Sequence, residues 1–317
     1  MVLAVILIAL GAAALVVGGD AITRGICRSA FSAGAAPSSV GLAFLGLEAG
    51  PLVILLLAAA RGESSFAAGI ALGSSAYLVA SGLGAGLMMS RRPSPSPPAL
   101  AVILPGIPLL AAGIAVGDGV VNRIEGAGLV VMFGIFIAVM ALERSVPESH
   151  GEQLRKAASR GLRVPALLLC GIGVVAAVVG AEVLLRGGDR LLAHSGLTAG
   201  FVGAALLGPL SALGGLRGVL PSPPPAGRER RPPTPEETEP AAQAYATLAC
   251  LGAGGLGLAA LIHPLHLDGT AEFAAVAAAA VAVPSAVAFL ARGRAGPAAG
   301  TIAVALAVAW VLIAVRI

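Results

Sequence analysis

The stretches "VVGGDAITRGICRSAFSAGAAPSSVGLAFLG" (16–46) and "VVGAEVLLRGGDRLLAHSGLTAGFVGAALLG" (178–208) align without a gap, and 12 of their 31 positions are identical. Gly18 falls on Gly180, Arg24 on Arg186, Gly25 on Gly187, Arg28 on Arg190 and Gly46 on Gly208, while Asp20 meets Glu182. Alanine and glycine bias inflates identity between apolar stretches, but arginines paired in register are harder to obtain by chance. The offset of 162 is close to half of 317 residues, so the chain reads as two copies of one unit.

Composition supplies the solvent. The chain is 57% hydrophobic and 11% charged, with mean hydropathy +0.95, far from a water-soluble domain. Its apolar runs are separated by short polar breaks and suit helices crossing a hydrocarbon core of about 30 Å; the ten-residue alternation of a membrane barrel is not visible. The expected fold is therefore an all-α integral membrane protein with about ten transmembrane helices. The crossings are read at 2–19, 37–60, 64–89, 99–117, 126–143, 164–185, 197–219, 241–262, 270–291 and 298–316. The first has no basic residue before it and runs into Asp20, so it reads as a retained helix.

Each half then holds five crossings. An odd number sends the second copy into the membrane from the opposite side, so the two five-helix repeats are expected to be inverted about an in-plane axis. The units are 1–145 and 164–317, joined by a linker at 146–163. A proline-rich loop at 220–240 sits inside the second and reads as a flexible segment. In this ten-helix scheme alternate loops carry fifteen and five of the 20 Lys and Arg residues. The basic side should be cytoplasmic, with both termini outside the cell (inner) membrane. The formal charge of +4 thus reports topology, and no basic soluble face for nucleic acid is present.

Glu48 is the residue that composition does not explain. It lies in "LAFLGLEAGPLVILLL" (42–57), otherwise apolar, glycine or proline. A charge at mid-bilayer costs about 2.5–3.5 kcal/mol on insertion scales, so such a group faces protein or a water-filled cavity. Gly46, Gly50 and Pro51 weaken the helix there and free backbone carbonyls that can coordinate a cation. A cation or proton site is the functional reading; a protonated glutamate bonded between helices is the structural one.

Other polar groups read as structure. Asp20 with Arg24, and Glu182 with Arg186, are expected to pair near helix ends, and Glu125 in "DGVVNRIEG" to start a helix. Cys27, Cys170 and Cys250 read as small packing residues. His263 and His266 form an H-x-x-H whose Pro264 breaks any shared helix face, so a loop is expected there instead of a metal site. No Walker loop or hydrolase triad is present, which argues against an enzyme or an ATP-driven pump, and nothing calls for a cofactor.

Several pieces carry a family resemblance: "GGDAITRG" (18–25), the run from Gly46 to "AAARGESSFAAGIALGSSAYLVASGLG" (58–84), "GDGVVNRIEG" (117–126) and "LAALIHPL" (258–265). The chain resembles the membrane region of sodium/calcium exchangers, as a degenerate bacterial-type member of the cation/calcium exchanger superfamily. The resemblance implies two inverted five-helix halves and antiport of a cation against sodium or protons. In that family a G-T-S-x-P-E segment in each half supplies a carboxylate, and a following G-S-N segment supplies amide and hydroxyl ligands. Here "GLEAGP" (46–51) and "GSSAY" (73–77) stand in those places; without a gap the family's acid falls on Pro51, three residues after Glu48, and its asparagine on Ser75, and Gly46, Glu48, Ser74 and Ser75 are the candidate ion-binding set.

The second half departs further. Its "GPLSALGGLRG" (208–218) has no acid, and "AAQAYATLACLGAGG" (241–255) offers only Gln243 and Thr247. One carboxylate can balance a proton or a monovalent cation but leaves calcium under-neutralised, since calcium takes six to eight oxygens and generally several carboxylates. The expected partners are therefore a monovalent cation or proton, with calcium suggested by the resemblance alone, and the lipid bilayer. Two alternatives stay open: a non-transporting protein that keeps the scaffold, and a drug/metabolite-type carrier, which also has five-plus-five inverted repeats.

Overall fold

In the computed structural model the described residues are 1–44, 46–84, 94–95, 103–142, 148–159, 164–215, 243–269, 294–295 and 297–314. Along them run α1 (Val2–Ser32), α2 (Pro37–Ala43), α3 (Ala49–Ala60), α4 (Ser64–Tyr77), α5 (Gly106–Val116), α6 (Arg123–Leu142), α7 (Glu148–Ser159), α8 (Ala166–Ser195), α9 (Ala199–Gly214), α10 (Gln243–Ile262) and α11 (Pro297–Ala314). Four of these, α1, α6, α8 and α10, are long and apolar enough to cross a membrane. Large apolar side chains stay exposed along α1, α6 and α8, among them Val17, Val131, Leu168, Val175 and Val179. This is an all-α, multi-pass membrane protein.

Glycines set the central contact. Helices α1 and α8 run antiparallel, and a Cβ added at Gly18 would lie 2.8 Å from both Ala177 Cα and Gly173 O. At Gly180 it would lie 2.6 Å from Leu15 N. The other close approaches are Gly11 against Leu184, Gly173 against Ile22, Gly25 against Cys170 and Gly187 against Ile8. Seven-residue spacing keeps Gly11, Gly18 and Gly25 on one helix face, as it does Gly173, Gly180 and Gly187. Small residues permit such close backbone approach where lipid supplies no hydrophobic drive between helices. Beyond each helix the chain turns on a left-handed glycine: Gly34 has φ +84° and Gly196 has φ +67°, and these are partners in the sequence alignment.

Both long helices outrun the expected crossings, which stopped near residues 19 and 185. Asp20 and Arg24 pair at 2.6 Å, and Glu182 and Arg186 at 2.8 Å, but both pairs sit within helices and not at their ends. The i,i+4 spacing lets each charge find its partner on the same helix, so the backbone need not end where the apolar run does. Arg28, one turn beyond Arg24, donates from Nε to Ala158 O at 3.0 Å and from Nη1 to Val164 O at 2.9 Å. It thereby ties α1 to the last turn of α7 and to Val164, just before α8.

The opposite end of the molecule is stitched by short contacts. Val120–Val121 pairs antiparallel with Leu265–His266. Ser65 Oγ donates to His266 O at 3.3 Å, and Gly200 N donates to Asp268 Oδ2 at 2.8 Å. Helix α6 opens with a reciprocal cap: Asn122 N donates to Glu125 Oε2 at 2.8 Å, and Glu125 N to Asn122 Oδ1 at 3.0 Å. Glu125 does start a helix there. His263 and His266 lie in the turn and short strand after α10. Cys27 and Cys250 are buried, whereas Cys170 is half-buried. Ile54, Leu55, Ile70, Leu72, Leu184 and Leu207 fill the core between α3, α4, α8 and α9. The expected crossing at 270–291 and the loop at 220–240 lie outside the described residues.

Candidate functional site

The segment around Glu48 is broken where glycine and proline predict. α2 ends at Ala43, α3 starts at Ala49, and Gly46 between them has φ +74°. Left-handed backbone of this kind favours glycine. A side chain at Gly46 would also run into the backbone of Ala246 and Thr247, so conformation and space both call for glycine. Gly46 N donates to Gln243 Oε1 at 3.3 Å, which closes one of the groups the break leaves open.

The second half is broken as well, by a different device. α9 passes through a π-helical stretch, Gly203–Leu207, and ends in a 3-10 turn, Ala212–Gly214. Further π-helical stretches occupy Leu78–Gly84, after α4, and Cys250–Gly255, within α10. π-bulges weaken the regular hydrogen-bond ladder and occur often at functional sites.

The four expected site residues each face a segment of the other half. Glu48, half-buried at the start of α3, lies against Gly215: a Cβ there would come 2.5 Å from Glu48 Oε1. No hydrogen bond or ion pair to the Glu48 carboxylate occurs among the described residues. Ser74, fully buried, donates to Gly208 O at 3.1 Å and stands 3.4 Å from Ser211 Oγ. Ser75 donates back to Ala71 O at 2.6 Å and faces Gly252, where a Cβ would stand 4.0 Å from its Oγ. Gly46 faces α10, as above. Glu48 bonds neither serine, so the structure brings these residues to one crossing without joining them into a single ligand cluster.

Ser211 is the group that sequence reasoning passed over. It is buried, donates to Gly208 O at 2.7 Å, and its carbonyl oxygen would lie 2.7 Å from a Cβ on Gly50. The available signal was its being the one hydroxyl in the broken segment 203–219, the counterpart of the Glu48 region. Thr247 and Gln243 are buried; Thr247 Oγ1 donates to the backbone carbonyl of Gln243, one turn back, at 2.9 Å, while the Gln243 side chain meets Gly46 N. The crossing therefore offers one carboxylate, three serine hydroxyls, a threonine hydroxyl, an amide and helix-break carbonyls. Those are hard oxygen donors with a single formal negative charge.

A second polar group lies where α3 turns into α4. Arg61 bonds Glu63 at 2.8 Å, Asp189 at 3.1 Å and Glu182 at 3.3 Å. Glu182 and Asp189 belong to α8, so Arg61 ties the end of the helix that Glu48 begins to the long helix of the second half. Burial, and then the charge of Asp189, push the Glu63 carboxyl above its ordinary range, with Arg61 opposing.

Comparison with known proteins agrees with this geometry. No protein-family model matches the chain, and no curated protein matches its sequence. Among solved structures, the H+/Ca2+ exchanger CAX superposes with a TM-score of 0.70 at 12% identity, over 99% of this chain and 87% of that one. The sodium-calcium exchanger NCX_Mj soaked with zero Na+ and Ca2+ gives 0.57 at 18% identity, over 100% and 99% of the two chains. The same exchanger soaked with 2.5 mM Na+ and 0.1 mM Ca2+ gives 0.57 at 19% identity. The chain has the fold of the cation/calcium exchangers.

Proposed function

We propose that this protein is a secondary active transporter that exchanges a cation for sodium or protons, with Glu48 as its protonatable ligand. The observation that carries the reading is the placement of Glu48: a carboxylate at a helix break in the interior of an exchanger fold, facing the other half and bonded to no described cation. Ser74, Ser75 and the backbone at Gly46 are the neutral groups proposed to act with it, and Ser211 meets Ser74 from the second half. The resemblance to exchangers of Ca2+ with H+ or Na+ supports antiport.

In this reading the chain makes ten crossings as two inverted five-helix units, 1–145 and 164–317, with 146–163 linking them and both termini outside the inner membrane. The contacts of α1 and α8 support the inversion. Adding 162 to one member of a contact and subtracting it from the other turns Gly11 with Leu184 into Gly173 with Ile22. The same operation turns Gly18 with Ala177 into Gly180 with Leu15, and Gly25 with Cys170 into Gly187 with Ile8. A two-fold relation between the halves produces such a set. Alternating access then amounts to rocking one unit against the other around the broken helices.

Calcium is not the ion held tightly. Glu48 meets Gly215 in the second half, where a second carboxylate would be needed, and a lone negative charge leaves a divalent ion under-neutralised at low dielectric. Titration calorimetry tests this: sodium or protons should compete at Glu48, and micromolar calcium binding that disappears in Glu48→Gln would overturn it. A scaffold that no longer transports is the second reading, favoured by the same missing acid. Gradient-driven flux in reconstituted vesicles separates the two.

A further inference from the structure

One polar contact between the halves belongs neither to the Glu48 crossing nor to the glycine-lined approach of α1 and α8. Arg61 is the residue that closes α3, and Glu48 is the residue that opens it. At 1.5 Å per residue the helix sets the two about 20 Å apart, so whatever holds Arg61 also restrains the helix that begins at Glu48. The partners of Arg61 on α8, Glu182 and Asp189, are seven residues apart, two turns along one face. The guanidinium spans that gap with its two amino ends: Nη1 donates to Glu182 Oε2 at 3.3 Å and Nη2 to Asp189 Oδ2 at 3.1 Å.

The helices close beside these ion pairs. A Cβ added at Gly188, next to Asp189, would lie 3.1 Å from Leu207 Cδ1 of α9 and 3.3 Å from Phe66 Cζ of α4. Phe66 and Leu207 are both buried. The charges therefore stand beside an apolar seal to which both halves contribute.

The network can also open without stranding a charge. Breaking a buried pair leaves an uncompensated charge, which resists opening. Here all four side chains are partly exposed, and two keep a partner within their own half: Arg61 has Glu63 at 2.8 Å, and Glu182 has Arg186 at 2.8 Å. Asp189, whose side chain is the most exposed of the four at 42%, is left to water. Ion pairs exposed to this degree are individually weak and are screened by salt, as suits a contact that is made and released repeatedly.

We infer that Arg61, Glu182 and Asp189 form a reversible latch that holds the two halves closed at this end of the molecule, and that its release frees α3 to move at Glu48. In the topology proposed above this is the outer face. The purpose of the latch rests on the proposed exchange; its existence does not, and it is tested without any ion gradient.

The reporter is a cysteine at Ala58, fully buried one turn before Arg61 and in the same core as Leu184 and Leu185 of α8. The full chain, with Cys27, Cys170 and Cys250 replaced by alanine, is purified in detergent, and the rate at which Ala58→Cys reacts with a water-soluble maleimide is measured. Arg61→Gln, and Glu182→Gln combined with Asp189→Asn, should each raise that rate about two- to fivefold, the range for loss of partly exposed ion pairs. Arg61→Lys, which keeps the charge without the fork, should fall between. Glu63→Gln and Arg186→Gln should not raise the rate, because the pairs they break lie within one half. Choline chloride, which screens charge without adding a transported cation, should speed labelling of the parent but not of Arg61→Gln. A parent rate indifferent to salt overturns the latch, and this arm needs no variant in the cluster to fold. Glu63→Gln labelling as fast as Arg61→Gln overturns it as well. A chain that labels as expected but moves no ion keeps the latch and loses the exchange; normal exchange with Arg61→Gln labelling at the parent rate does the reverse.

Discussion

Replacing Gly18 by alanine tests the architecture at its tightest point. The new methyl would stand 2.8 Å from Ala177 Cα and from Gly173 O, about 0.6 Å short of ordinary contact, and both obstacles are backbone. Neither can rotate away, so α1 and α8 must separate along their crossing. Overpacking of this kind costs about 1–3 kcal/mol. Against it stands the helix propensity of alanine over glycine, worth about 0.8–1 kcal/mol. Gly171→Ala removes that offset from the comparison, because Gly171 also lies inside α8 but has nothing within 4 Å of an added Cβ. The two variants should therefore differ by about the whole overpacking term. At roughly 2–4 °C per kcal/mol for chains of 150–250 residues, that is several degrees in a thermal melt of the detergent-solubilised protein. Gly180→Ala should behave like Gly18→Ala, since its methyl would meet Leu15 N at 2.6 Å. If Gly18→Ala melts with Gly171→Ala, the close crossing of α1 and α8 is wrong.

The raised carboxyl of Glu63 gives a pH dependence with a definite sign. The folded state holds this proton more tightly than the unfolded chain, so the stability it contributes is complete below the ordinary value of 4.5 and is lost as pH rises above it. Glu63→Gln should flatten that loss, its melting temperature gaining on wild type between acid and neutral pH; a constant offset would contradict the assignment. Sidedness is tested by single cysteines in a chain lacking Cys170. A cysteine at Ser149 should react with an impermeant reagent only after cells are opened, and one at His263 in intact cells; the reverse pattern would invert the topology. Ser211→Ala should reduce exchange several-fold while changing the melt little more than the loss of one hydrogen bond, about 1 kcal/mol. Unchanged exchange would remove Ser211 from the site.

The break at 44–48 was legible because Gly46, Gly50 and Pro51 each act locally, through backbone conformation and a missing donor. The exchanger fold was legible because the spacing of glycines and arginines survives where side-chain chemistry does not. Helix ends were read too early, before Asp20 and before Arg186, since a charge ends an apolar run without ending a helix. The polar stripe Asp20, Arg24, Arg28 at four-residue steps signalled the continuation. The partners of Arg61 could not be read, because Glu182 and Asp189 lie more than 120 residues away and meet it only through the packing of α3 on α8. Ser211 was passed over for a related reason: being the one hydroxyl of 203–219 does not say what it faces, and Ser74 meets it only across the packed helices.

Glu48 is the group proposed to bind and release the exchanged ion. The most direct measurement is proton movement in reconstituted vesicles with a trapped pH-sensitive dye, after a sodium gradient is imposed across the membrane. Wild type should move protons against the sodium gradient, micromolar calcium should not replace sodium in driving them, and Glu48→Gln should abolish the signal while keeping the wild-type melt. Equal proton movement in wild type and Glu48→Gln would rule out Glu48 as the exchanging group, and none in a correctly folded wild type under any cation gradient would rule out exchange.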